Sequence, residues 1–157
     1  MRIIPLRHQN DKTMKQSIRE SLNQFGLPII QLKVMGKMCW FIVDTGSNVN
    51  LISSELKNEL VRSLKSVGKQ STLGVGGDSE NEVFEIPYSV DDRTFNALFG
   101  TLDGTFQMFE EEYGFKVSGL LGTEFMIRHR VIIDLSDGII YMSGLPDKVR
   151  SAEKQCA

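Results

Sequence analysis

The apolar run Cys39-Trp40-Phe41-Ile42-Val43 ends abruptly at Asp44-Thr45-Gly46-Ser47-Asn48, and that junction constrains the chain more than any other stretch. A run rich in aromatic and β-branched residues reads as a strand. A carboxylate directly after it stands at the end of a buried element, where an ionised group is costly unless it is hydrogen-bonded or shares a proton. Gly46 lets the backbone turn back closely and leaves N–H groups free to aim at the carboxylate. Thr45 and Ser47 add hydroxyls that can satisfy a polar cluster.

The flanking sequence predicts a mainly β chain. Ile30, Leu32 and Val34 alternate with Gln31 and Lys33, and Met35-Gly36-Lys37 is a turn, so 29–43 reads as a hairpin. Ser53 is a good N-cap, with Glu55 in the first turn and a helical stripe of Leu56, Leu60 and Leu64. Residues 71–90 read as a second hairpin with a polar, Gly-rich tip from Gly74 to Asn81. Its return strand runs from Val83 to Val90, and Pro87 marks it as an edge. Phe95, Ala97 and Phe99 alternate as a further strand. Thr105 to Tyr113 fits neither period cleanly, and its Glu110-Glu111-Glu112 reads as a solvated face. Thr123 to His129 is a short helix, and Ser136-Asp137-Gly138 turns a closing hairpin between Val131–Asp134 and Ile139–Met142. Ahead of these, Met14, Ile18, Leu22 and Phe25 predict one face of a helix that Gly26 ends. This segment is either an interaction arm or an amphipathic cover on the core.

Composition excludes several functions. The 157 residues suit one domain, and 18 Lys and Arg against 20 Asp and Glu leave no basic footprint for nucleic acid. Two cysteines, Cys39 and Cys156, cannot supply a disulfide framework or a Cys-based zinc site, and His8 and His129 are too far apart in sequence for a metal cluster. No metal and no cofactor is expected. No apolar run reaches the ~18 residues of a membrane span, and the N-terminus has no signal-peptide pattern, so the expectation is a soluble, cytoplasmic protein.

Three motifs in order resemble the retropepsin-like aspartic proteases, the single-lobed relatives of pepsin, over roughly residues 27–143. Phe41-Ile42-Val43-Asp44-Thr45-Gly46-Ser47 is similar to the family's active-site loop. Leu73-Gly74-Val75-Gly76-Gly77 is similar to its flap tip. Gly119-Leu120-Leu121-Gly122-Thr123-Glu124-Phe125-Met126 is similar to its apolar-apolar-Gly motif and following helix.

The resemblance implies a closed barrel or sandwich of β-hairpins with short helices, acting as a symmetric homodimer on polypeptide substrates. Two aspartates would share a proton and activate a water, a dyad logic carried over from the class. Asp44 would be the catalytic acid or base. Thr45 would bond across the dimer, Gly46 would shape the loop, and Ser47 would hydrogen-bond Asp44 or merely satisfy local backbone. Gly74, Val75, Gly76 and Gly77 would close over substrate, or form only a flexible turn. Leu121 and Gly122 would pack behind the loop. The chain has one Asp-Thr-Gly, and Asp134 lacks a following Gly, so Asp134 reads as a hairpin residue and the second carboxylate must come from a second copy. Residues 1–26 form an N-terminal arm, 27–143 the protease-like domain and 144–157 a polar tail. That tail lacks the alternation of an interleaved dimer strand, which leaves the N-terminal arm or the closing hairpin to dimerise. The competing function is a non-catalytic module that keeps the fold for peptide binding or dimerisation.

Overall fold

A computed structural model describes residues 13–143 except 61, 63, 65, 75, 76 and 103, and describes backbone alone at 70–74 and 77–81. His8, Cys156, the first half of the N-terminal arm, the polar tail, and Val75 and Gly76 of the expected flap tip lie outside the described residues.

The elements are β1 (Thr13–Ser17), α1 (Arg19–Phe25), β2 (Ile29–Val34), β3 (Lys37–Val43), β4 (Asn50–Ser53), α2 (Ser54–Leu60), β5 (Ser66–Gly74), β6 (Gly77–Val90) and β7 (Arg93–Leu102). They continue with α3 (Thr105–Tyr113), β8 (Gly119–Leu121), α4 (Thr123–Arg128), β9 (Ile132–Asp134) and β10 (Ile139–Ser143). One sheet runs β2-β3-β8-β4-β7-β6, and β6 pairs back onto β2, which closes a six-stranded barrel with β5 extending from β6. The mainly β content is as the sequence predicts, and of the barrel or sandwich that the resemblance implies, the chain forms the closed barrel. A second sheet of order β1-β10-β9 lies outside this ring.

Alternation explains the barrel. Ile30, Leu32 and Val34 of β2 and Cys39, Phe41 and Val43 of β3 all point into the main core, with Ile52, Ile86, Phe99 and Leu121 from the other strands. Full burial of such side chains contributes about 1.5–3 kcal/mol each. The β2–β3 and β6–β7 turns each use two consecutive residues with positive φ, Met35-Gly36 and Asp91-Asp92, the signature of a tight hairpin turn matched to strand twist. Burial pushes the Cys39 thiol up, consistent with an inert core residue. The outer face of β2, β3 and β8 is also covered. Ile29, Phe106 and Val117 form a second buried cluster, against which Phe25, Phe109 and Phe115 pack.

Three expectations need correction, and one stretch that the sequence left open is resolved. The predicted N-terminal helix begins only at Arg19, because Thr13–Ser17 pairs antiparallel with β10 from Thr13↔Ser143 to Ser17↔Ile139. The 3.6-residue spacing is real only from Ile18 onward; Leu22 donates to the Ile18 carbonyl, and Gly26 ends the helix with φ 69°. The second hairpin has a tighter tip than its composition indicates, since β5 and β6 pair through Gly74↔Gly77. Ladder hydrogen bonding is indifferent to side-chain polarity, so polar residues there hide a strand. Pro87 is not on a sheet edge. It sits in β6 opposite Asn96 of β7, and its carbonyl accepts the Met35 N–H. A strand residue's N–H and C=O share a side, so the missing donor faces β2, not the β7 ladder. Finally, the ambiguous 105–113 stretch is a helix, capped by Gly114 in the left-handed conformation with φ 64°. Glu110, Glu111 and Glu112 are exposed on it.

Other local readings hold. The Leu56 N–H donates to Ser53 Oγ at 3.1 Å, the expected N-cap bond. Asp134 Oδ1 accepts the Asp137 N–H at 2.9 Å inside the closing hairpin.

Candidate active site

β3 delivers Asp44 to the rim of the barrel. The parallel pairing of β3 with β8, which ends at Val43↔Leu121, continues one step further as the Asp44 N–H donates to the Leu121 carbonyl at 3.0 Å. The chain then folds back. Ser47 N–H donates to the Asp44 carbonyl at 3.3 Å, and Gly46 N–H donates to Asp44 Oδ1 at 2.8 Å. A Cβ at Gly46 would lie 3.1 Å from that same carboxylate oxygen. The loop is thus tight because position 46 carries no side chain.

Asp44 is half-buried, while Thr45 and Gly46 are exposed. The expectation of a carboxylate buried at the strand end is corrected: in a single chain the loop opens to solvent at the barrel rim. The Ser47 hydroxyl donates to the Val49 carbonyl at 2.8 Å and takes the Val49 N–H at 3.3 Å. Of the two roles open to it, Ser47 therefore satisfies local backbone, and its hydroxyl is not spent on Asp44.

Leu121 and Gly122 lie directly behind the loop. Leu121 is fully buried in the main core. At Gly122 a Cβ would stand 2.3 Å from the Val49 carbonyl oxygen and 2.8 Å from that of Ser47, so only glycine fits. Thr123 N–H donates to the Ser47 carbonyl at 2.8 Å. Gly74 and Gly77 face each other at the end of the β5–β6 ladder.

Two polar residues that the sequence reading passed over are buried. Asn50 is 1% exposed and holds Gly122 N–H on its Oδ1 at 3.0 Å. Its sequence signal was a polar residue inside the apolar stretch Val49 to Ile52. His129 is completely buried; its Nδ1 lies 2.9 Å from the Ser143 carbonyl and its Nε2 2.6 Å from the Tyr88 hydroxyl. A carbonyl only accepts, so Nδ1 carries the proton and Nε2 accepts from Tyr88. Burial holds the His129 ring below the usual imidazole range, the Ser143 bond opposing and the Arg128 charge assisting. Burial likewise pushes the Tyr88 hydroxyl up to about 12. Nothing in the sequence marked this pair.

Among the described residues no group of three or more His, Cys, Asp or Glu could hold a metal ion, and no helix is long and apolar enough to cross a membrane. Two cavities, of about 160 and 260 Å³, lie between α2 and α3 and beside α1; neither is lined by residues 44–47.

The architecture is similar to that of known solved structures. A retropepsin-like aspartic protease from Rickettsia conorii matches with a TM-score of 0.54 and 18% identity, over 85% of this chain and 95% of that one. The retroviral protease-like domain of Ddi1 from Leishmania major matches with a TM-score of 0.51 and 14% identity, over 78% and 97%. No family model and no curated protein matches the sequence. The chain shares the fold of these two proteins.

Proposed function

We propose that this chain, having the retropepsin-like fold, is an aspartic endopeptidase whose catalytic pair is completed by a second copy of itself. The observation that carries this reading is the Asp44 loop. A carboxylate stands at the rim of the barrel, half open to solvent, with one oxygen held by the Gly46 N–H and the other free to meet a partner group. A symmetric axis beside this loop brings Asp44 against its own mate. Two such carboxyls cannot both ionise at low cost, so one keeps a proton and acts as general acid while the other activates a water as general base. The water attacks the scissile carbonyl, and the acid protonates the leaving amine. The β5–β6 hairpin, whose glycines resemble a flap tip, is the element that would close over a polypeptide.

Dimerisation has support in the outer sheet. β9 is one of its two edge strands, Ile132 on it is 57% exposed, and Leu135 in the turn that follows is 64% exposed. An edge with exposed apolar residues is a pairing template.

The test is cleavage of unfolded polypeptides from pH 4 to 7 by the wild-type protein and by Asp44→Asn. The expected result is acidic to near-neutral cleavage that the variant loses. Equal cleavage by both, or none by either at concentrations where sedimentation shows a dimer, overturns the reading. Permanent monomers that still bind peptide after Asp44→Ala would instead favour a non-catalytic peptide-binding module.

A further inference from the structure

We infer that Asn50 is a positioning residue for Asp44, the side-chain link of a three-bond seam that fixes the active-site loop on the β8–α4 junction. The inference rests on the endopeptidase reading for its catalytic consequence, but its structural part stands without it.

Three consecutive residues, Leu121, Gly122 and Thr123, each bond the segment that carries Asp44. Leu121 C=O accepts the Asp44 N–H at 3.0 Å, and Thr123 N–H donates to Ser47 C=O at 2.8 Å. Between them, Gly122 N–H donates to Asn50 Oδ1 at 3.0 Å. The outer two bonds are backbone to backbone and use no side chain. The middle one depends on a single side chain. The same amide also donates through Nδ2 to the Leu98 carbonyl of β7 at 3.4 Å. Asn50 thus ties the exit of the loop to β7 and to the β8–α4 junction at once.

Burial sharpens the argument. Asn50, Ser53 and His129 are the buried polar residues among the described ones, and Asn50 is 1% exposed. A buried amide is costly unless both its ends are bonded, so an apolar residue would be the cheaper choice in β4 if packing alone mattered. Gly122 sits tightly against the loop, since even a Cβ added there would stand 2.3 Å from the Val49 carbonyl oxygen and 2.8 Å from that of Ser47. Removing the Asn50 amide leaves the Gly122 N–H buried and unpaired, with the outer bonds of the seam to either side. The loop then relaxes by shifting those bonds, and the first of them is the Asp44 N–H itself.

The consequence for the reaction is on geometry, not on substrate contact. The dyad needs its two carboxylates within reach of one proton, and a displacement on the order of 1 Å at such a site costs up to about 100-fold in rate. Asn50 is buried and holds backbone, so its loss acts on kcat and on the pH profile of the pair.

The experiment is Asn50→Leu in the full chain, with Ile86→Ala as a destabilised control whose cavity lies in the barrel core. Two readouts are taken. Amide hydrogen exchange, normalised to the Leu32 amide of the barrel, is expected to speed about tenfold or more at Asp44 and Thr123 in Asn50→Leu and to stay level in the control. With a cleaved polypeptide, kcat is expected to fall about tenfold with KM within about twofold, and the pH profile to shift, while the control keeps both. If exchange changes at Gly122 alone, or if kcat and pH profile stay at wild-type values in a folded variant, or if KM rises with kcat unchanged, the inference is overturned. Should Asn50→Leu fail to fold, Asn50→Ser, which shortens the reach but keeps a polar group, carries the same two readouts. A wild-type protein that cleaves nothing overturns the endopeptidase reading alone, and the exchange at Asp44 and Thr123 still decides whether Asn50 positions the loop.

Discussion

Gly46 points its backbone N–H at the Asp44 carboxylate, 2.8 Å from Oδ1, across a loop only two residues wide. The bond holds the side chain in one orientation. Gly46 has no positive φ to require a glycine. What requires it is space, because a Cβ there lies 3.1 Å from the same oxygen. Gly46→Ala is therefore expected to leave stability within about 0.5 kcal/mol, as loop-surface changes do, while lowering kcat/KM about tenfold by moving the carboxylate. Thermal unfolding and steady-state kinetics on the same preparation check both halves.

Gly122→Ala should do the reverse. The added carbon meets the Val49 carbonyl oxygen at 2.3 Å, and backbone on both sides prevents relief. Overpacking of this kind costs about 1–3 kcal/mol or more. Urea unfolding should show the midpoint falling with the slope unchanged. A midpoint at the wild-type value would mean that the β8–α4 junction is looser than its geometry.

The His129–Tyr88 pair makes stability pH-dependent at both ends. The folded His129 stays neutral where an exposed imidazole would begin to charge. As pH falls below about 6.5 the unfolded chain takes up a proton that the folded chain refuses, so stability drops, by at most about 1.4 kcal/mol per pH unit for this one group. On the alkaline side Tyr88, pushed up to about 12, keeps its proton in the folded chain after the unfolded chain has lost it near pH 10, so stability falls again from there. Denaturant midpoints between pH 7 and 5 should lose the His129 contribution to the slope in His129→Gln. An unchanged slope would show that the ring titrates alike in both states.

Ser53→Ala removes the oxygen that takes the Leu56 N–H at the start of α2. Cap removal costs about 1 kcal/mol. The helix packs Leu56 into the main core, so the loss should register in global unfolding rather than in local fraying.

The candidate site was legible because its chemistry is local. An apolar run, a carboxylate and a glycine two residues later are adjacent in sequence, and the bond between Asp44 and Gly46 closes within that span. The β2–β3 hairpin and the Ser53 cap were legible for the same reason, since alternation and capping act over a few residues. The Ser47 hydroxyl shows where this ends. Two local partners were open to it, and the turn of the loop chose Val49.

What the sequence by itself determined was the strands of the local hairpins, their tight turns and the loop that presents Asp44. Only the tertiary structure decided that Thr13–Ser17 is a strand, because its partner β10 lies at the other end of the chain. Only it decided that Asn50 meets Gly122 and that His129 meets Tyr88, contacts separated by 72 and 41 residues. A buried polar side chain has no period to read. Its reason lies in the group it pairs with, and that group is brought to it only when the barrel closes.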